Sequence, residues 1–243
     1  MGRAHEVRAA SMAKTNLAKS KLYSKYGKLI YMEAKNGADP NANLKLRALI
    51  DKAKKDQVPA DVIKRNIEKA AGGTGENFSE VKYEAFGPAG STFIIDCLSD
   101  NTNRTFTSVR SIAGKCGAHL GNPGSVTYQY DYQGVLNVKG ADEEKALDLL
   151  MEAGLEPTDV YSNDDDTITV TCEPSNLSDM KAAFEQAEGV EVIRDDVLWS
   201  AKETISVPEE EFEKIQRFID KLNEDDDVSN IYHNVDNLPE VED

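Results

Sequence analysis

Only three cysteines occur in the 243-residue chain, Cys97, Cys116 and Cys172, and no two form a CxxC pair. An odd, scattered set excludes a disulfide framework and a structural zinc site and fits a reducing compartment, so a cytoplasmic protein is expected. Histidine is as scarce: His5, His119 and His233 are the full set. None is spaced as an HExxH metal pair, and none follows a nucleophile motif. Long apolar runs are also missing. Stretches such as 93–95 and 192–193 fall far short of the ~18 residues of a membrane span, and the basic N-terminus is not followed by the apolar region of a secretory signal. With 40% hydrophobic and 30% charged residues and ordinary Pro and Gly, the chain is neither collagenous nor disordered.

What is present is an uneven charge. Residues 1–70 carry 16 Lys+Arg and 7 Asp+Glu, a net of +9, whereas the remainder carries 12 and 37, a net of −25. A basic end on an acidic body hints at polyanion binding by that end. Residues 13–35 contain no Pro and one Gly and read as a helix. At about 100° per residue Lys14, Lys21, Lys25, Lys28 and Lys35 share a stripe, with Leu22, Tyr23, Tyr26, Leu29 and Ile30 on another. Lysines that served only solubility would be interspersed with acids, but Glu33 is the only acid in the segment. A stripe of one sign is what a helix needs to lie along phosphates while its apolar side docks on its own domain.

Two further helices are expected. Asp39-Pro40-Asn41 reads as turn and cap, followed by the apolar Leu44, Leu46, Leu49, Ile50 and Ala53 with Lys45, Arg47, Lys52, Lys54 and Lys55 outside. Val58-Pro59 starts a third helix, which carries Lys64 and Arg65 and ends at Gly72-Gly73. Alternation then replaces helical periodicity. Strands are expected at 81–86, 92–98 and 125–130, with a helix from Asn101 or Thr102 to about Cys116 that buries Phe106, Val109, Ile112 and Ala113. From Val135 the order is strand 135–138, helix 142–153 with Leu147, Leu149 and Leu150, strands 159–162 and 167–172, helix 178–187 and strand 190–194. That βαββαβ order is the ferredoxin-like unit. Strand 203–207, helix 208–223 and strand 228–234 cannot form a domain alone. The expected class is therefore α+β: an N-terminal three-helix domain followed by two α/β domains, the second inserted into the first. The boundaries are 1–75 with its N-terminal arm and glycine linker, 76–132 plus 200–243, and 133–199.

No catalytic constellation is apparent. Cys116 and His119 are close enough for a thiolate–imidazole pair, but a buried helix cysteine and a loop histidine is the commoner outcome. The acidic runs 164–166 and 224–227 read as solvated turns, since neither continues into a twelve-residue calcium loop. The polar stretch 100–105 has two readings. It is a helix cap with solvated neighbours, or Asn101, Asn103 and Arg104 form a second contact surface beside a helix N-terminus, which favours anions.

Several segments, in order, resemble the YebC/PmpR family, in the branch typified by YeeN: Gly2-Arg3-Ala4-His5-Glu6-Val7-Arg8, Lys21-Leu22-Tyr23-Ser24-Lys25, Asp39-Pro40-Asn41 with Leu46-Arg47, and Val58-Pro59 with Ile63-Lys64-Arg65. Residues 83–90, 100–105, 121–126 and 225–232 continue the likeness. In the commoner branch the opening is His-Ser-Lys-Trp, whereas here His5 is followed by Glu6-Val7. The resemblance implies three domains, one inserted in another, no enzymatic activity and no cofactor. It also implies a DNA-binding transcriptional regulator or, as the alternative, a ribosome-associated RNA-binding translation factor. The expected nucleic-acid contacts are Arg3, Arg8, Lys14, Lys19, Lys21, Lys25, Lys28, Lys35, Lys45, Arg47, Lys52, Lys54, Lys55, Lys64 and Arg65. The acidic α/β domains suit a basic protein partner, and no metal or membrane is implied.

Overall fold

The computed structural model describes residues 3–73, 75, 77–163 and 165–239, with side chains from Lys19 onward. Two compact units are present: Met1–Pro123 with Ile205–Ile231 and Val235–Asp243, and Gly124–Thr204 with Tyr232–Asn234.

Three helices open the first unit: α1 (Arg3–Ala34), α2 (Leu44–Lys55) and α3 (Ala60–Ala71). The expected N-terminal arm is part of α1, because no proline and only Gly27 interrupt residues 3–34. Asn43, rather than the 39–41 turn, caps α2. Its Oδ1 accepts from the Leu46 amide at 3.1 Å while Nδ2 donates to the carbonyls of Glu33 (3.1 Å) and Gly37 (3.0 Å). Asp39 instead closes a local turn, accepting from the Asn41 amide at 2.9 Å. Pro59 caps α3 from just outside the helix. Tyr26, Ile30, Tyr31, Leu46, Ile50, Ala53 and Ile63 form the core of this bundle.

The first sheet has the order β3-β1-β2-β8, from β1 (Ser79–Phe86), β2 (Thr92–Ser99), β3 (His119–Leu120) and β8 (Val228–His233). Helices α4 (Thr102–Lys115) and α7 (Glu209–Asn223) supply Val109, Ala113, Ile215, Phe218 and Leu222 to a core shared with Phe93, Ile95 and Cys97 of β2. Phe93 and Phe218 meet edge to face at 5.0 Å. The buried stripe of α4 is Thr105, Val109 and Ala113, so Phe106 is 42% exposed instead of buried and leans on Tyr83. Residues 203–207 do not make the expected strand: Ile205 forms only an isolated parallel bridge to Val235.

The second unit holds β4 (Tyr130–Lys139), α5 (Glu143–Glu152), β5 (Asp159–Ser162), β6 (Thr167–Cys172), α6 (Leu177–Gln186) and β7 (Glu191–Ala201). Its sheet is antiparallel in the order β5-β6-β4-β7, the ferredoxin-like arrangement. The expected strands 125–130 and 135–138 are replaced by one strand, β4, preceded by a tight turn at Thr127–Gln129. Gly134, inside β4, is a packing glycine: a Cβ there would stand 2.9 Å from Cys172 Sγ and 3.1 Å from Leu177 Cβ. Of the leucines named for this helix, α5 buries Leu150, together with Ala146, and leaves Leu147 43% exposed.

Candidate nucleic-acid interface

The basic residues of the helical bundle divide into two groups by what they face. The first is the lysine stripe of α1, which meets the chain's own acidic C-terminal turn. Lys21 Nζ donates to the carbonyls of Leu222 (3.4 Å) and Asn223 (3.2 Å) and to Asn223 Oδ1 (3.2 Å), at the last turn of α7. A cation there complements the partial negative charge of the helix C-terminus. Lys25 Nζ donates to Asn230 Oδ1 at 2.8 Å. Lys28 Nζ reaches the carbonyls of Leu98 (2.9 Å) and Asp226 (2.7 Å) and the Asp227 carboxylate (3.1 Å), which occupies all three ammonium donors. It also lies 5.6 Å from the Phe78 ring centre. Lys35 donates to Asn77 Oδ1 at 2.6 Å. The periodicity therefore identifies the face, and in this structure Lys21 and Lys28 join α1 to the end of α7 and the turn that follows it, and Lys25 joins it to β8.

Asp227 is the centre of that fastening, and its role was not visible in the sequence. Its carboxylate also accepts from Arg104 Nη2 at 2.9 Å and Thr105 Oγ1 at 2.7 Å. Thr105 and Ser99 hydroxyls are 2.6 Å apart, and the Asn101 amide donates to Ser99 Oγ at 2.9 Å. With Thr105 donating to the carboxylate, Ser99 must donate to Thr105, so the chain of donors runs from the Asn101 amide to Asp227. Burial alone would raise the pKa of Asp227, but the hydrogen bonds from Arg104, Thr105 and Lys28 outweigh it and hold the carboxyl below its ordinary value. Burial lowers the pKa of Lys21 to about 8 despite the opposing pull of Asp225. Asp225 accepts from Ser108 Oγ and from the Asp227 amide. The 224–227 run is thus an internal acceptor cluster as well as a turn.

Asn101 caps α4, its Oδ1 accepting from the Arg104 amide at 3.1 Å. Arg104 bridges Asp100 (2.6 Å) and Asp227, and hydrogen bonding to Asp227 before all else raises its pKa. Asn103 is exposed and, with Asn101, Arg104, Thr107, Ser108 and Ser111, lines a shallow, open depression.

The second basic group faces outward. On α2, Lys45, Arg47, Lys54 and Lys55 are exposed and Lys52 is half-buried, with Asp51 the one acid of the helix, 3.5 Å from Lys54. Lys64 and Arg65 are exposed on α3, with Lys64 3.7 Å from Glu68, and Lys19 is exposed on α1. Such surface pairs hold their partners weakly, so Lys54 and Lys64 stay available to a ligand. The side chains of Arg3, Arg8 and Lys14 lie outside the described residues.

The cysteines are all buried, and burial pushes the Cys97 thiol up to about 12. Cys116 lies in the core, whereas His119 is exposed with its ring stacked on Phe86 at 5.4 Å. Among the described residues, no helix is long and apolar enough to cross a membrane.

Residues 3–73 match the profile of the TACO1/YebC protein N-terminal domain, and residues 78–235 that of the TACO1/YebC second and third domain. A protein of Alteromonas mediterranea named a probable transcriptional regulatory protein is 48% identical over 236 residues, covering 96% of this chain and 98% of its own. One of Marinobacter nauticus with the same name is 46% identical over 242 residues, 99% of this chain and 100% of its own. The crystal structure of a conserved hypothetical protein from Aquifex aeolicus superimposes with a TM-score of 0.74 at 32% identity, covering 89% of this chain and 90% of that one.

Proposed function

The chain belongs to the TACO1/YebC family, and we propose that it is a non-enzymatic, DNA-binding regulator of transcription that holds phosphates through the outward basic side chains of α2 and α3. The observation that carries this is the composition of α2: five Lys or Arg against the single Asp51, four of the five exposed. Cations left open to solvent release phosphate counterions on binding, which drives association and makes it salt-dependent. The relatives are named probable transcriptional regulatory proteins, and DNA is the polyanion on which regulation of transcription ordinarily acts.

In this reading Lys45, Arg47, Lys52, Lys54, Lys55, Lys64, Arg65 and Lys19 contact phosphate, together with Arg3, Arg8 and Lys14. Lys21, Lys25 and Lys28 position α1. Phosphate contacts set register without reading bases, so sequence preference is modest. Residues 1–75 act as the binding domain, while 76–132 with 200–243 and the inserted 133–199 form the acidic body, which a duplex would repel. Asn101, Asn103 and Arg104 form a second, weaker contact, because Arg104 is already shared by Asp100 and Asp227.

Sedimentation of a lysate on a sucrose gradient, with DNase in one sample and RNase in another, tests the nucleic acid involved. The proposal expects cosedimentation that collapses with DNase and survives RNase. Migration with ribosomal particles that collapses with RNase would overturn it in favour of a translation factor.

A further inference from the structure

We propose that the exposed face of α5 docks a basic amphipathic segment of a partner protein, independently of any nucleic acid. A surface helix ordinarily turns polar side chains outward. On α5 the outward residues include Leu147, 43% exposed, and Met151, 72% exposed, one turn apart. Methionine adapts its shape to varied apolar partners, which suits it to a docking surface. Around this pair stand the exposed acids Glu144, Asp148 and Glu152. Glu143 is fixed beside them by hydrogen bonds of 2.8 Å from the amide and hydroxyl of Ser162. The single base of the helix, Lys145, turns its Nζ back to the Gly140 carbonyl at 3.0 Å.

Charge selects the occupant. Residues 124–204 carry 5 Lys+Arg and 19 Asp+Glu, a net of −14. A potential of that sign repels nucleic acid, an anionic lipid surface and the same face of a second copy, and attracts cations. An apolar pair at i,i+4 inside an acidic rim is complementary to a helix with two apolar residues at the same spacing and lysines or arginines beside them.

The test uses the full chain and a fluorescein-labelled Lys/Leu amphipathic peptide of about 18 residues, five helical turns. A scrambled peptide of equal charge serves as control. Leu147→Ser/Met151→Ser is expected to weaken binding at least about tenfold, the factor equivalent to ~1.4 kcal/mol. Glu144→Lys/Asp148→Lys should weaken it similarly. Unchanged binding in the serine variant, unchanged binding in the lysine variant, or equal binding of the scrambled peptide would overturn the proposal. A photo-crosslinker at position 151 in cells should join the chain to a protein segment that is basic with apolar residues at i,i+4. Attachment to nucleic acid or to a second copy, or no attachment, would overturn it.

Discussion

Replacing Asp227 with Asn removes one charge at the point where α1, α4 and the α7–β8 turn meet. The side chain is only 9% exposed and accepts from Lys28, Arg104 and Thr105. Asn keeps the shape, but if its oxygen faces Arg104 and Thr105, its amide nitrogen faces the Lys28 ammonium. Removing one partner of a buried ion pair costs about 3–5 kcal/mol. The lower end applies here, because each donor keeps an alternative. Lys28 retains the carbonyls of Leu98 and Asp226, Arg104 retains Asp100, and Thr105 can turn to the Asn101 carbonyl 3.1 Å away. The expected loss is about 3 kcal/mol. Urea unfolding at pH 7 measures it, followed by far-ultraviolet circular dichroism, because the single Trp199 lies in the other unit. The pH dependence follows from the depressed carboxyl of Asp227. A group whose pKa is lower folded than unfolded stabilises fully above its unfolded value, about 3.9 for Asp, and loses that contribution as pH falls through the folded value. The gap between the two proteins should therefore be full at pH 7 and narrow below about pH 4. A variant within about 0.5 kcal/mol of the parent at pH 7, the range of an ordinary surface change, would refute the reasoning, as would a gap of equal size at pH 3.

Two other perturbations follow from the same geometry. Gly140 has φ +82°, and a Cβ on it would stand 2.0 Å from the Gly189 carbonyl oxygen, so Gly140→Ala should destabilise the second unit by more than about 1 kcal/mol, read from Trp199 fluorescence in urea. Lys21, lowered to about 8 by burial, is less protonated folded than unfolded between that value and the free lysine's 10.5. The unfolded state then binds more protons, so this group makes stability rise with pH across that interval, and Lys21→Met should flatten the rise in urea titrations at pH 8 and 10.

Much of the fold was legible because local signals set it. The hairpin β5–β6 and the α4 cap at Asn101 follow from alternation, turn residues and capping chemistry. Errors came where a distant contact overrode a local reading. The strands expected at 125–130 and 135–138 are one strand, β4, whose Gly134 packs on Cys172 and Leu177, nearly forty residues away or more. Phe106 is the larger apolar side chain of its turn, but register gives the inward position to the shorter Thr105, as it gives Ala146 the inward position beside the exposed Leu147. The site shows the same division. Helical spacing placed Lys21, Lys25 and Lys28 on one face, but a lysine stripe is equally complementary to phosphates and to the carbonyls and carboxylates of a turn some two hundred residues away. The acidic run 224–227, opposite in sign to the stripe, was the available clue.

In the proposed complex α2, not the α1 stripe, holds phosphate. The most direct test is the slope of log affinity against log salt for a DNA duplex, since each phosphate contact contributes about −0.9. In Lys45→Gln/Arg47→Gln/Lys54→Gln/Lys55→Gln the slope should become shallower by about 3 to 4, whereas Lys21→Gln/Lys25→Gln should change it by less than about 1. A slope unchanged in the α2 variant, or lost in the α1 variant, would contradict the claim.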